Sequence, residues 1–413
     1  MRCGSLIRPI SSFDLLTSHF SSLTSHPPLR TLSLFLSLSL FLAACASPNP
    51  TASPTLGVTS VVDTPVAGVT ASAMAAASTA TSAPTALATA PGATATFGAQ
   101  GLSVGYVFSA STTPGLLAAI QKAPGFGLPV ELASGAPADR LTSMANLNLQ
   151  VIVADGADLA DAARAAAQAF PKTYFISFIP PGQASAVGPG DPLPNLLTLG
   201  AGPTRQDQLG FMDGVVAGYA TQAKVLSAVG YTTDAIGLKY RNGFLHGVRL
   251  SCSRCRVDFV DVTDLNDGAA AAAKARLNAS LSSDVVFAAA GAASAAALQA
   301  AAGQGAWVLG ADADIYQSVF GGGATAGADK VLASAYFDPV AAVVAALKAY
   351  LAGKPWTGPQ PYAAATGALG LAPYRVSTDV LSDLDRSDAL AVLGQLADGS
   401  LDTGIDLATG SEQ

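Results

Sequence analysis

The chain has 413 residues, with 21 basic and 28 acidic side chains and a formal net charge of −7. An acidic balance without a basic cluster argues against a nucleic-acid partner. The length allows two or three domains, but the first quarter differs in composition from everything that follows.

Arg2, Arg8 and Arg30 precede TLSLFLSLSLFLAAC (31–45), an apolar run ending in small residues. The run is short of the roughly 20 residues that cross a bilayer and has the shape of a secretory h-region. Its close, Leu42-Ala43-Ala44-Cys45, resembles a bacterial lipobox, in which the cysteine thiol takes a diacylglyceryl group before cleavage. This reading makes 1–44 a lipoprotein signal, Cys45 the lipidation site and the membrane a partner through a lipid anchor; a stretch this long before Arg30 also suits a translation start set too far upstream. From Ala46 to Phe97 the chain is almost wholly Ala, Thr, Ser, Pro, Val and Gly, with Asp63 its only charge. No apolar face recurs there, so 45–98 is expected to be a disordered tether, reaching about 40 Å on average. Removing 1–44 takes away Arg2, Arg8, Arg30 and Asp14, which leaves 18 basic against 27 acidic side chains and a net charge of −9.

Beyond Leu102 short apolar runs alternate with helical stretches. Strands are expected at 102–108, 128–134, 149–155, 173–178, 195–200, 224–231, 256–262, 284–290, 306–312 and 330–336. Amphipathic helices are expected at 159–170 and 207–220, and His246 falls on a further helix. Near-continuous apolar strands between helices are the pattern of buried parallel sheets. Ten strands exceed one comfortable doubly wound sheet, so two sheets of five or six strands each are expected, with ligands binding beyond the strands' carboxyl ends. Within this pattern the alanine-rich run 288–314 reads as one βαβ unit with a turn at Gly291.

Outside the cytoplasm, Cys252 and Cys255 in SCSRC suit a small disulfide. A structural zinc site lacks ligands, because His246 is the one histidine after the leader, His19 and His26 lying within it. For the same reason a Ser-His-Asp or Cys-His site would depend on His246 alone. Glu131 and Glu412 are the two glutamates, and Asp312 and Asp314 come from one element where glycosidase carboxylates usually come from two. The chain reads as a binding protein and not an enzyme, with no cofactor.

Four segments, in order, resemble the basic membrane protein (Med/PnrA-like) family, the substrate-binding lipoproteins of ABC importers that include purine-nucleoside receptors. VIVADGADLADAARAAAQAFPKTYFISF (151–178) is similar to the family's strand, aspartate-bearing helix and strand unit. TRQDQLGFMDGVVAGYATQAKVLSAVGY (204–231) resembles its "EEGSFLAG…GKVGFIGG" segment. AAAGAASAAALQAAAGQGAWVLGADAD (288–314) follows "AGGTG…VFEAA…WVIGVDSDQ", and VLSDLDRSDALAVLGQLADGSLDTGI (380–405) resembles the final helix and "GxIxTG" ending. The resemblance implies an α/β, two-lobed type I periplasmic-binding-protein fold with three hinge crossovers: 99–203 in lobe 1, 204–334 in lobe 2, and 335–413 returning to lobe 1 and ending in the C-terminal helix and tail.

It also implies a small polar ligand, a purine nucleoside among the candidates, handed by a monomeric receptor to an ABC permease; a lipid-anchored ligand sensor of the same fold is the alternative. Position by position, Asp161 falls on the family's helix aspartate (with Asp158 competing for its role), Tyr240 on an aromatic that stacks the base, Gly291 on the glycine turn, and Asp312 and Asp314 on "DSD". Carboxylates suit a ribose diol because they accept two hydroxyl hydrogen bonds at once. Asp312, ending a buried strand, is the stronger ligand candidate, and Asp314 suits a helix N-cap as well as a ligand contact. Three departures stand out, the first a glycine turn thinned to Gly291-Ala292-Ala293-Ser294. The family's Asn-Phe loop after the first strand reads FSASTTPGLL (108–117) here, and a family lysine is replaced by Phe337.

Overall fold

The computed structural model describes residues 102–109, 113–122, 127, 130–132, 135–181, 192–376 and 378–413. The leader, Cys45 and the tether lie outside the described residues.

Lobe 1 begins with β1 (Val104–Phe108), α1 (Leu116–Lys122), β2 (Val130–Leu132), α2 (Pro137–Ala145), β3 (Val151–Asp155), α3 (Ala160–Ala169), β4 (Tyr174–Phe178) and β5 (Leu196–Leu199). The chain then crosses into lobe 2 with α4 (Gln206–Ala220), β6 (Val225–Gly230), α5 (Ala235–Ser251), β7 (Arg256–Asp261), α6 (Gly268–Leu281), β8 (Val285–Ala289), α7 (Ser294–Ala302), β9 (Trp307–Gly310), α8 (Ile315–Ser318) and β10 (Val331–Ala333). It returns through β11 (Ala335–Phe337) to α9 (Pro339–Leu351) and β12 (Gly358–Gln360), then leaves through β13 (Leu369–Leu371) for α10 (Asp383–Asp398).

Two parallel sheets result. The first has six strands in the order β12-β5-β4-β3-β1-β2, the second five in the order β10-β9-β8-β6-β7. Strand order reverses between β1 and β3 in one sheet and between β6 and β8 in the other, so each lobe has a switch-point crevice at its strands' carboxyl ends. Helix α9 packs Ala342, Val343, Ala346 and Leu347 into the lobe 1 core. Helix α10 packs Ala389, Val392 and Leu396 with α4 in the lobe 2 core. The second and third crossovers pair as an antiparallel ladder of β11 with β13.

The ten expected strands are present with one change. The run 330–336 is not one strand but two, β10 and β11, which belong to different sheets. Between them Ser334 is fully buried, and its hydroxyl accepts from the Ile315 N–H at 3.1 Å. That bond turns the backbone out of the lobe 2 sheet into the hinge ladder. Strands β12 and β13 are additional. Cys252 and Cys255 are joined in a disulfide that closes the C-terminal end of α5.

Helix α4 is buried on nearly every side and crosses α5 at backbone contact. A β-carbon on Gly214 would lie 2.2 Å from the Phe244 carbonyl oxygen, and one on Gly247 would lie 2.0 Å from that of Phe211. Gly210 and Gly243 meet Tyr240 and Asp207 backbone as closely, at 2.3 and 2.2 Å. These four positions accept no side chain unless the helices separate. Gly214→Ala is accordingly expected to destabilise the fold by at least about 2 kcal/mol, the scale of an overpacked core, read as a lowered urea midpoint. An unchanged midpoint would show that the helices part without cost.

Candidate functional site

The two aspartates ending the alanine-rich run take different roles. Asp312 follows β9 in a left-handed conformation, φ 75°, which costs an ordinary residue roughly 1 kcal/mol and which aspartate tolerates. Its N–H donates to the Ala335 carbonyl at 3.0 Å, tying the turn to β11. The Tyr240 hydroxyl donates to its Oδ1, while Oδ2 has no protein partner among the described residues. Asp312 keeps exposed surface, yet surrounding protein raises its carboxyl above the ordinary range, opposed by the Tyr240 hydrogen bond. Asp312 and Gly291 border one cavity of about 270 Å³ at the ends of β8 and β9. Gly291 has φ 57°, and a β-carbon on it would meet the Leu265 side chain at 3.2 Å, so a left-handed turn and close packing both require glycine.

Asp314 instead caps α8, accepting from the Tyr316 N–H at 3.0 Å. Its other oxygen pairs with Arg375 at 3.1 Å, whose guanidinium lies over the Tyr316 ring. Both carboxylate oxygens are thus engaged, and Asp314 fastens lobe 2 to the segment after β13.

Tyr240 departs from the expected stacking role. It is 8% exposed, with its ring in the lobe 2 core and its hydroxyl on Asp312. Through that bond Tyr240 positions Asp312, and it also borders a small pocket with Arg241 and Phe259. Asp161 is exposed on the first turn of α3, and no hydrogen bond or ion pair engages it among the described residues. Asp158 lies nearer the β1/β3 crevice: its Oδ1 is 2.7 Å from where a β-carbon on Gly156 would sit, beside Ser109.

Two acidic residues escaped the sequence reading. Asp155, at the end of β3, is 1% exposed. It accepts from the Tyr106 hydroxyl at 2.5 Å and from the Thr113 N–H and hydroxyl at 2.7 Å each, which pins the start of α1 to the sheet. Asp213 is fully buried in α4, at the alanine position of the "SFLAG" pattern. Its Oδ1 accepts from the Ala335 N–H at 2.9 Å, and its buried Oδ2 has no hydrogen-bond partner. An aspartate inside an otherwise apolar helix was the available signal. Burial pushes the Asp213 carboxyl well above its ordinary range, and the charge of Asp312 adds to the shift against the opposing Ala335 N–H. Nearby, burial pushes Tyr374 up to about 12.

His246 is part-buried on α5, with Nδ1 2.7 Å from the Thr403 carbonyl oxygen. The Thr403 hydroxyl donates to Asp207 at 2.6 Å, and Arg205 pairs with the same carboxylate at 2.9 Å. The C-terminal tail is therefore a clasp on α4 and α5. Among the described residues no cluster of three metal-ligating side chains occurs, and no helix is long and apolar enough to cross a membrane.

A family model described as Bmp, ABC transporter substrate-binding protein PnrA-like, matches residues 105–390. No curated protein matches the chain. Among solved structures, it is similar to an ABC transporter system solute-binding protein from Conexibacter woesei DSM 14684, at 19% identity over 72% of this chain and 97% of that one, TM-score 0.48. A transcriptional activator of the comK gene from Bacillus halodurans gives 16% identity over 72% and 99%, TM-score 0.48. An ABC transporter system solute-binding protein from Aeropyrum pernix K1 gives 15% over 73% and 92%, TM-score 0.39.

The raised Asp213 carboxyl carries a stability consequence. A folded-state pKa above the unfolded value means the folded chain holds more protons, so stability falls as pH rises above the ordinary aspartate range. Asp213→Asn keeps the acceptor for Ala335 and removes the buried charge. Its melting temperature is expected to exceed that of the parent at pH 8, with the difference shrinking toward pH 4. An equal difference at both pH values, or a loss at pH 8, would contradict this.

Proposed function

The chain belongs to the PnrA-like Bmp family of ABC transporter substrate-binding proteins, and we propose that it is a lipid-anchored, monomeric receptor that closes two lobes over a purine nucleoside and delivers it to an ABC permease. The observation that carries this reading is the Asp312 carboxylate, held at the end of β9 by Tyr240 and by the Ala335 carbonyl, with Oδ2 open beside the Gly291 cavity. A carboxylate so fixed offers acceptors to a pair of neighbouring hydroxyls, the recognition group of a ribose.

The electrostatics favour a neutral ligand rich in donors. The Arg205 guanidinium is engaged by Asp207, and the buried Lys239 ammonium donates to the Thr204 carbonyl and hydroxyl at 3.0 and 3.2 Å. Neither is free to bind phosphate. An ionised Asp312 carboxylate repels a phosphate, which favours a nucleoside over a nucleotide. Anchoring rests on the lipobox at Cys45 and the tether behind it. Two or three acyl chains on one cysteine hold a protein to a membrane it does not cross.

Calorimetry of the full chain in detergent tests the ligand. Adenosine, guanosine or inosine is expected to bind, and Asp312→Asn is expected to weaken binding by about 1.5–3 kcal/mol for each hydrogen bond lost to the charged group. Undiminished affinity in the variant would remove Asp312 from the site. For the anchor, labelled palmitate is expected in the parent chain expressed in a bacterial host and absent from Cys45→Ser. Equal labelling of the two would place the lipid elsewhere.

A further inference from the structure

The sequence holds no basic cluster, but the fold assembles one. The strands of the lobe 1 sheet are parallel, and α1, α2, α3 and α9 run back against them, so these helices end where the strands begin. Lys122 closes α1, and Lys348 lies in the last turn of α9. Lys354 follows α9, and Lys172 lies between α3 and β4. All four are exposed, and none makes a hydrogen bond or ion pair among the described residues.

The acidic residues of lobe 1 take the opposite end. Asp139 is in the first turn of α2, Asp155 ends β3, Asp158 and Asp161 lie in the turn and helix start that follow, and Asp338 caps α9. Glu131 is the middle residue of β2. Among the described residues, the end remote from the cleft is therefore basic, in a chain whose formal net charge is −7. Lysines complement a helix dipole only within its last turn. That accounts for Lys122 and Lys348 but not for Lys172 and Lys354, which lie beyond their helices.

Aromatic and apolar side chains stand among these lysines. The Tyr350 ring stacks on Tyr174 with centroids 5.1 Å apart, and the Tyr174 hydroxyl donates to the Trp356 carbonyl. That bond fixes the segment carrying Lys354 and Trp356 against the start of β4, next to Lys172. Helix α1, with Lys122, packs against α9. Tyr350 and Trp356 are half-buried, and Leu351 is 46% exposed. A bilayer interface suits this mixture, because amphipathic rings settle at headgroup level while lysines meet anionic headgroups.

The chain also enters lobe 1 at this end. The Ser103 carbonyl accepts from the Val151 N–H at 3.1 Å, and the Gln150 carbonyl accepts from the Tyr174 N–H at 3.0 Å. The start of β1 thus lies in one row with the start of β4. Residues 46–101 lead to this point from Cys45, so a lipid on Cys45 brings the bilayer to the same end.

We propose that this end of lobe 1, carrying Trp356, Tyr350 and Leu351 among the four lysines, is a docking surface for an anionic phospholipid bilayer. Docking there leaves the cleft, at the other end of the sheet, open to solvent. Attraction between lysines and a charged surface fades within a Debye length, about 10 Å at 0.1 M salt, so the contact is reversible. The arrival of the anchor at this face rests on the lipoprotein reading above; the preference of the face for anionic lipid does not.

In the full chain with Trp307→Phe, Trp356 is the remaining tryptophan. That chain is mixed with vesicles of brominated phosphatidylcholine, with or without phosphatidylglycerol. Quenching of Trp356 is expected where phosphatidylglycerol is present, and is expected to reverse as salt is raised. Lys348→Gln and Lys354→Gln should each lower the ratio of docked to undocked chain about fivefold, the scale of one basic side chain at an anionic surface. Arg254→Gln, exposed on lobe 2, should leave it unchanged. A chain that sediments with both kinds of vesicle but shows no quenching of Trp356 overturns the surface and leaves the anchor standing. Quenching on anionic vesicles that persists in Cys45→Ser supports the surface whether or not the anchor exists. Equal quenching on both kinds of vesicle, or quenching indifferent to both lysine changes, overturns the proposal. Quenching that needs native membranes and is absent from protein-free vesicles assigns the face to a membrane protein and also overturns it.

Discussion

The carbonyl oxygen of Phe244 occupies the space that a β-carbon on Gly214 would need, and much of lobe 2 follows from that approach. Helices α4 and α5 touch backbone to backbone through Gly210, Gly214, Gly243 and Gly247, which brings side chains between the glycines unusually near each other. Gly210 meets the carbonyl of Tyr240, the residue whose hydroxyl holds Asp312. Asp213, one residue before Gly214, reaches β11. Glycine costs a helix up to about 1 kcal/mol relative to alanine, so four such positions are a local sacrifice. Contact between the helices and the placement of Tyr240 and Asp213 offset it.

The Ala335 peptide is the next link. Its N–H goes to Asp213 on α4 and its carbonyl to Asp312 after β9, so one residue of the second crossover joins a core helix to the candidate ligand carboxylate. Crossover strands are the part of a two-lobed receptor that must bend when the lobes close. Here that strand is held on its lobe 2 side by a buried carboxyl and on its other edge by β13, where Phe337 lies opposite Leu369. Two carboxyls sit at one end of that strand, and nearby Arg205 and Lys239 are each held by protein partners.

Much of this order was legible in the sequence. Buried parallel strands announce themselves as apolar runs, and β8 through β9, hidden in an alanine-rich stretch, could be read because turn, helix and strand followed in sequence. The run 330–336 was misread as one strand because a buried serine looks like any small strand residue; its hydrogen bond to Ile315 is a tertiary fact. Strands β12 and β13 have three residues each, and the first contains Pro359, so neither carries a periodic signal. Asp314 as a cap was legible from its place before a helix. Tyr240 was not, because an aromatic on a helix reads the same whether its ring faces a ligand or its hydroxyl holds a neighbour. Asp213 and Asp155 were passed over for the opposite reason: a lone acid in an apolar segment is legible, but only the fold tells what it faces.

Asp155 is a carboxylate already committed within lobe 1. Its carboxylate is spent on Tyr106 and Thr113, in the region where the family's loop carries its Asn-Phe pair. With those bonds made inside lobe 1, Asp155 differs from Asp312 in lobe 2, whose Oδ1 is engaged by Tyr240 and which borders a cavity. At the crossovers Tyr362 is anchored to Ile179, with Phe337 beside it. Burial of apolar surface contributes about 25 cal/mol per Å² whichever way the buried group is turned, whereas hydrogen bonds to a fixed carboxylate discriminate orientation sharply.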